Sequence, residues 1–148
     1  MAAWPNRRPR RRRGRCCRKK PSSRSRSKRW QGFEGDDLVA TIDLGKRTKI
    51  REVEAGFVQD SGSWIFLPRS SVEIAVSDDG KDFRTVRTEA VPVHDEEGGV
   101  LAQTVRLKTE KVRARFIRVT AVSIHTCPED HSSAGQKAWL FADEIVVR

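Results

Sequence analysis

The stretch FVQDSGSWIFLP, residues 57–68, sets an acid, two hydroxyls and an indole within a few positions of one another. Sugars are held by a flat aromatic face against their C–H groups and by polar side chains on their hydroxyls. Asp60, Ser63 and Trp64 supply both kinds of group, with Gly62 marking a turn between them. Trp64 and Phe66 stand at alternate positions, so as members of one strand they share a face, and at least one of them is expected in the core. A second polar stretch, HTCPEDHSSAGQ, holds His125, Glu129, Asp130 and His131. The two histidines are six positions apart, a spacing that matches no zinc motif. A solvated surface loop is the plainer reading and a sugar-contacting loop the alternative, since long loops on a rigid scaffold often carry binding. Glu144 lies in ADEIVV between apolar residues, and a carboxylate buried there needs a partner. The pairs Asp78-Asp79 and Glu96-Glu97 fall in turn-like stretches and are expected in solvent. Cys16 and Cys17 are adjacent and Cys127 is distant, with no C-x-x-C spacing, so no metal or redox site is signalled. No G-x-S-x-G, H-E-x-x-H or phosphate-cradling glycine loop is present, and a catalytic role is not expected.

The elements that must position these residues read as strands. LVATIDL alternates Leu38, Ala40, Ile42 and Leu44 against Val39, Thr41 and Asp43, and Gly45 is expected to end that strand. IREVEAGFV places Val53, Ala55 and Phe57 in phase; SVEIAVS does the same with Val72, Ile74 and Val76. Asp79-Gly80 signals a hairpin, returning through FRTVRTEAV. LAQTVRLK is one further strand and VRARFIRVTAV another; in the latter the apolar phase moves from Val112, Ala114 and Phe116 to Ile117, Val119 and Ala121, which predicts a bulge or bend. AWLFADEIVV is apolar enough to be paired on both sides. Pro68, Pro92 and Pro128 fall at strand edges or in loops, where a missing N–H does least harm. About seven strands without a helical period indicate an all-β sandwich or barrel.

Charge divides the chain sharply. Of its 148 residues, the first 29 hold 14 Lys and Arg and no acid. The other 119 therefore hold 30 − 14 = 16 basic and 20 acidic residues, net −4. Residues 1–29 contain no Leu, Ile, Val or Phe, so a disordered Arg-rich tail precedes a domain at 30–148. Such a tail has weak affinity for nucleic acid and other polyanions. With Trp4 as its one aromatic side chain, base-stacking recognition is not expected. No apolar run approaches a membrane span, and no apolar segment follows the basic start as in a secretory signal; the compartment is left unknown.

The phrases WQGFEGDDLVATIDLG, GSWIFLPRSSVEIAVSDDGKDF, ARFIRVTA and KAWLFADEIVV, in that order, resemble the discoidin or coagulation-factor type C family. They are most similar to the C-terminal module of bacterial exo-β-N-acetylhexosaminidases. The resemblance covers about Trp30 to Arg148. It implies a jelly-roll β-sandwich of the galactose-binding type, with sugars or other partners bound at one loop end and mostly without catalysis. It implies N-acetylhexosamine- or galactose-containing glycans as partners; the polar, glycine-containing segments 60–64 and 125–136 have the freedom to shape a pocket at a loop end, so Asp60, Trp64 and His125 are the expected carbohydrate contacts. It also implies a structural calcium ion to which Glu144 contributes. Family members carry a further strand and an ion-binding loop before the tryptophan, where this chain has KKPSSRSRSKRW, so calcium binding is expected to be weakened or lost. That departure makes the tail resemble a misassigned start more than an evolved arm. Similar domains work outside the cytoplasm. Three functions stand: a glycan-binding module, a structural remnant of a glycosidase with no ligand, or a polyanion binder acting through the tail.

Overall fold

The computed structural model describes residues 30–91 and 99–148. The tail at 1–29, with Cys16, Cys17 and the polyanion reading attached to it, lies outside the described residues, as does the pair Glu96-Glu97. Seven strands form one sheet: β1 (Gln31–Glu34), β2 (Leu38–Gln59), β3 (Ile65–Phe66), β4 (Ser71–Ser77), β5 (Arg84–Ala90), β6 (Leu101–Ala121) and β7 (Trp139–Val147). Their order is β1-β7-β2-β6-β4-β5, and β3 adds to β7 in parallel while every other pairing is antiparallel. Among the described residues there is no α-helix, only a short 3-10 turn at Ser61–Ser63.

The sheet becomes a sandwich because β2 and β6 are long and bent. Residues 38–43 of β2 pair with 116–121 of β6, and residues 52–59 pair with 101–108. Between these runs the register slips twice, from Asp43 to Thr48 and from Ile50 to Glu52. Extra residues in one strand bend the ladder. The pair thus folds over, and its two halves become members of two layers. β4 and β5 extend one layer from Ile117 and Val119; β7 and β1 extend the other from Val53 to Val58. Leu38, Val72, Ile74, Val76, Ile117 and Val119 from the first layer and Val53, Phe57, Val105, Leu107 and Leu140 from the second join in one buried cluster.

The alternation at 38–44, 53–57 and 101–107 appears as burial in the same phase; in β4 Val72, Ile74 and Val76 are buried as expected, but Ala75 and Ser77, expected to face outward, are buried as well. The bend expected near Phe116 is the first register slip. Two expected breaks are absent. Gly45 does not end its strand, because at φ 79° it lets the chain loop out and return to the same partner, with its N–H donating to Asp43 Oδ1 at 2.8 Å. Likewise LAQTVRLK and VRARFIRVTAV are one strand, continuous through the corner. Gly80, at φ 78°, turns the β4–β5 hairpin; there Asp79 Oδ1 accepts the Ser77 hydroxyl at 2.7 Å and the N–H groups of Lys81 at 2.8 Å and Asp82 at 3.0 Å.

One consequence of the fold-over decides where function can sit. The corner of β2 and β6, the β4–β5 hairpin and the end of β7 lie at one end of the sandwich. The β1–β2, β2–β3, β3–β4 and β6–β7 connections all gather at the other, which is therefore the loop end.

Candidate functional site

At the loop end two connections flank the start of β7. The first begins at Asp60, whose backbone bridges to Ile65 around the turn Ser61–Ser63; Asp60 Oδ2 accepts the Ser63 hydroxyl at 2.8 Å. Trp64 closes the turn in the left-handed region, φ 62° and ψ 26°. The residue is 40% exposed, whereas Phe66 is buried. The two rings therefore do not share a face. The left-handed residue breaks the alternation just before β3 begins, so Phe66 enters the core side and Trp64 stays at the surface.

The second connection starts at Ser123, which is buried and donates its N–H to Asp37 Oδ1 at 2.8 Å. His125 follows in the left-handed region, φ 64°, with its Nε2–H on the same Asp37 oxygen at 2.9 Å. The β1–β2 turn is thereby tied to the β6–β7 loop. Asp37 is half-buried and holds this junction; its distance of 88 residues from His125 leaves no local signal in the sequence.

The two connections are fixed to one another through β7. Ala138 N–H donates to the His125 carbonyl at 2.9 Å, and the next amide, Trp139, donates to the Trp64 carbonyl at 2.7 Å. Consecutive amides of a strand point to opposite edges. Trp64 and His125 thus stand on either side of the strand start, two strand spacings or about 10 Å apart at the backbone. A further tie runs from His131. Its Nδ1 accepts the Ser133 N–H at 3.1 Å, so its Nε2 carries the proton and donates to the Ser61 carbonyl at 3.0 Å. The ring meets Phe66 edge-on, centroids 5.7 Å apart. Beneath it, Phe66, Cys127 and Ala138 form a small buried cluster, so Cys127 is a packed core residue.

Among the described residues, Trp64 and His125 are the two non-glycine positions with positive φ. A left-handed backbone costs a residue with a Cβ about 1–2 kcal/mol and persists where neighbours over-determine it. Here the carbonyl of each is pinned by β7. Asp60, by contrast, spends one carboxylate oxygen on its own turn. The described connections at this end carry Asp36, Asp37, Asp60, Glu129 and Asp130 against Arg69 and Lys137, which leaves an acidic rim.

Glu144 is placed otherwise than its apolar neighbours suggest. Phe57 pairs with Ala142 and Ala55 with Ile145, so β7 carries one extra residue across that step. The bulge sends Ile145 and Val147 back to the core and turns Glu144 into solvent. Among the described residues no group of three or more His, Cys, Asp or Glu side chains gathers around it or elsewhere. The side chains described at Glu144 do not make the oxygen-rich cage that calcium takes.

A model of the F5/8 type C domain matches residues 19–142. No curated protein sequence matches the chain. Among solved structures, the chain is similar to CpGH89CBM32-5 from Clostridium perfringens in complex with GalNAc-β-1,3-galactose, at 18% identity over 76% of this chain and 73% of that one, TM-score 0.40. It is similar to CBM32-3 from a family 31 glycoside hydrolase of the same organism at 20% identity, over 78% and 71%, TM-score 0.41. For the C-terminal domain of a chitobiase from Bacteroides fragilis the values are 17% identity, 76% and 65%, TM-score 0.39.

Proposed function

Because the chain belongs to the F5/8 type C domain family, we propose that its loop end binds glycan without catalysing any change in it. The observation that carries this reading is the placement of Trp64. A large aromatic residue stands partly exposed on a strained backbone whose N–H and carbonyl are both hydrogen-bonded, at the end where the connections of the sandwich meet. Such a placement suits a stacking platform, because a backbone fixed before the ligand arrives has less freedom to lose on binding.

The division of labour follows from the chemistry of each group. Trp64 stacks on the C–H face of a sugar ring. His125, oriented by Asp37, and the uncommitted oxygen of Asp60 meet hydroxyls on either side of it. A five-acid rim favours neutral or amino sugars over uronates at this end. Small modules bury little area, so the affinity is on the order of 0.1–1 mM, about −4 to −5.5 kcal/mol.

The experiment is calorimetric or NMR titration of the protein with N-acetylglucosamine- and galactose-containing oligosaccharides, among them GalNAc-β-1,3-galactose. Trp64→Ala is expected to weaken binding at least tenfold while keeping a cooperative melt. No saturable binding by folded wild-type protein overturns the reading in favour of a module that only packs against a partner domain. Equal binding by a folded Trp64→Ala variant moves the site away from the loop end.

A further inference from the structure

The opposite end of the sandwich holds a cavity that the glycan reading leaves unused. Its volume is about 450 Å³, and it lies between the β4–β5 hairpin and the corner of β6. That size suits a single small organic molecule. The floor is Val76 and Ala114, both buried, together with the ring of Phe83. One face of that ring is covered by the Arg118 guanidinium, 3.7 Å from its centre, which holds it in place.

The charged groups of the wall differ in how far they are already engaged. Asp79 accepts one hydroxyl and two backbone N–H groups within the hairpin turn. Asp78 pairs with Arg47 at 3.2 Å. Arg84 and Arg113, by contrast, line the cavity with no hydrogen-bond or ion-pair partner among the described residues, and so does Asp82 through its side chain. Two uncommitted guanidinium groups over an apolar floor are suited to a carboxylate whose body is apolar on one side. A guanidinium takes a carboxylate with two parallel hydrogen bonds, a geometry that hydroxyls alone do not match. A free carboxylate such as Asp82 accepts hydroxyl protons.

We infer that the corner cavity is a second ligand site, specific for a small hydroxylated carboxylate of the uronic-acid class. Arg84 and Arg113 take its carboxylate, Phe83 and Val76 lie against its C–H face, and Asp82 takes a hydroxyl. This site is independent of Trp64 and survives if the loop-end reading fails.

The test is an ionic-strength-matched NMR titration of the full chain with sodium glucuronate, glucose and sodium glutamate. The expected result is saturable perturbation of the amides of residues 77–84 and 113–114 by glucuronate, with at least tenfold weaker response to glucose and to glutamate. The double variant Arg84→Gln/Arg113→Gln is expected to lose the glucuronate response at least tenfold with an unchanged melting temperature, and Trp64→Ala to keep it. The inference is overturned by no saturable response in folded wild type, by a glucose or glutamate response equal to that of glucuronate, or by a double variant that binds as wild type does.

Discussion

Asp79 shows how much one side chain does in a short turn. The Ser77 hydroxyl, first among its partners, and the N–H groups of Lys81 and Asp82 hold its carboxyl at about 2, below the ordinary 3.8. A carboxyl depressed on folding contributes stability that is complete above the unfolded value and is lost as pH falls through the folded one. The window here runs from about pH 4 down to about 2. Asp79→Asn keeps an oxygen that accepts the same N–H groups and removes only the charge. Its melting temperature is therefore expected to fall less steeply than that of wild type between those two values; parallel pH profiles of the two proteins would contradict this. Next to it, Gly80 occupies φ 78°, and a Cβ there would stand 3.2 Å from the Phe116 ring. Gly80→Ala is expected to cost about 1–2 kcal/mol in chemical denaturation. Trp64 and His125 bear the same kind of backbone strain without glycine's freedom, and at those two positions it belongs to the proposed ligand end rather than to a hairpin.

At the scale of elements, β2 and β6 carry the architecture, because each serves both layers. Leu107, fully buried on β6 and paired with Val53, sits in the cluster that joins them. Leu107→Ala removes its contacts and leaves a cavity, at an expected cost of 2–5 kcal/mol, or about that much in denaturant-extrapolated stability. Val39, on the same pair of strands but 58% exposed, is the control: Val39→Ala is expected to stay within about 0.5 kcal/mol of wild type. Equal losses from the two substitutions would mean that the fold-over is not where the core lies. The loop between β6 and β7 is held differently, by an isolated bridge between Thr126 and Lys137 together with Asp37, His131 and the Phe66–Cys127–Ala138 cluster. Sequence spacing points to a loop there but not to its anchors, which come from the β1–β2 and β2–β3 connections and from Phe66 of β3.

For the molecule as a whole, the buried residues of the main core cluster among the described residues run from Leu38 to Ala142, and residues 1–29 hold no Leu, Ile, Val or Phe to add to it. A chain beginning at Trp30 is accordingly expected to melt in one cooperative transition, and loss of that transition on removing residues 1–29 would show that the leader takes part in folding. Charge is distributed on the same scale. The leader is basic, the loop end has an acidic rim, and the corner cavity presents two unengaged arginines. Neutral glycans at one end and a carboxylate at the other would thus respond differently to salt: binding of glucuronate is expected to weaken several-fold between low and physiological ionic strength, and that of a neutral oligosaccharide to stay nearly constant.

The strand phases were legible in the residues themselves, since alternation such as Val53, Ala55 and Phe57 follows from the period-two geometry of a strand with one buried face. So was the shift at Phe116, because a phase change has no other way to be accommodated. The candidates Asp60, Trp64 and His125 were visible as residue types in polar stretches, yet their arrangement was not. Gly45 reads as a strand end in sequence because a glycine with freedom at positive φ commonly ends a run; that the chain returns to its old partner depends on β6, some seventy residues away. Glu144 reads as buried because period two carries it inward; the bulge that turns it out exists only because β2 pairs with β7. The corner cavity was invisible, since Arg84 and Arg113 belong to different strands. Local alternation thus determined which faces are apolar, while tertiary structure alone decided which strands are continuous, which loops meet and which charges are left without a partner. Those outcomes depend on pairings between distant residues that no local pattern encodes.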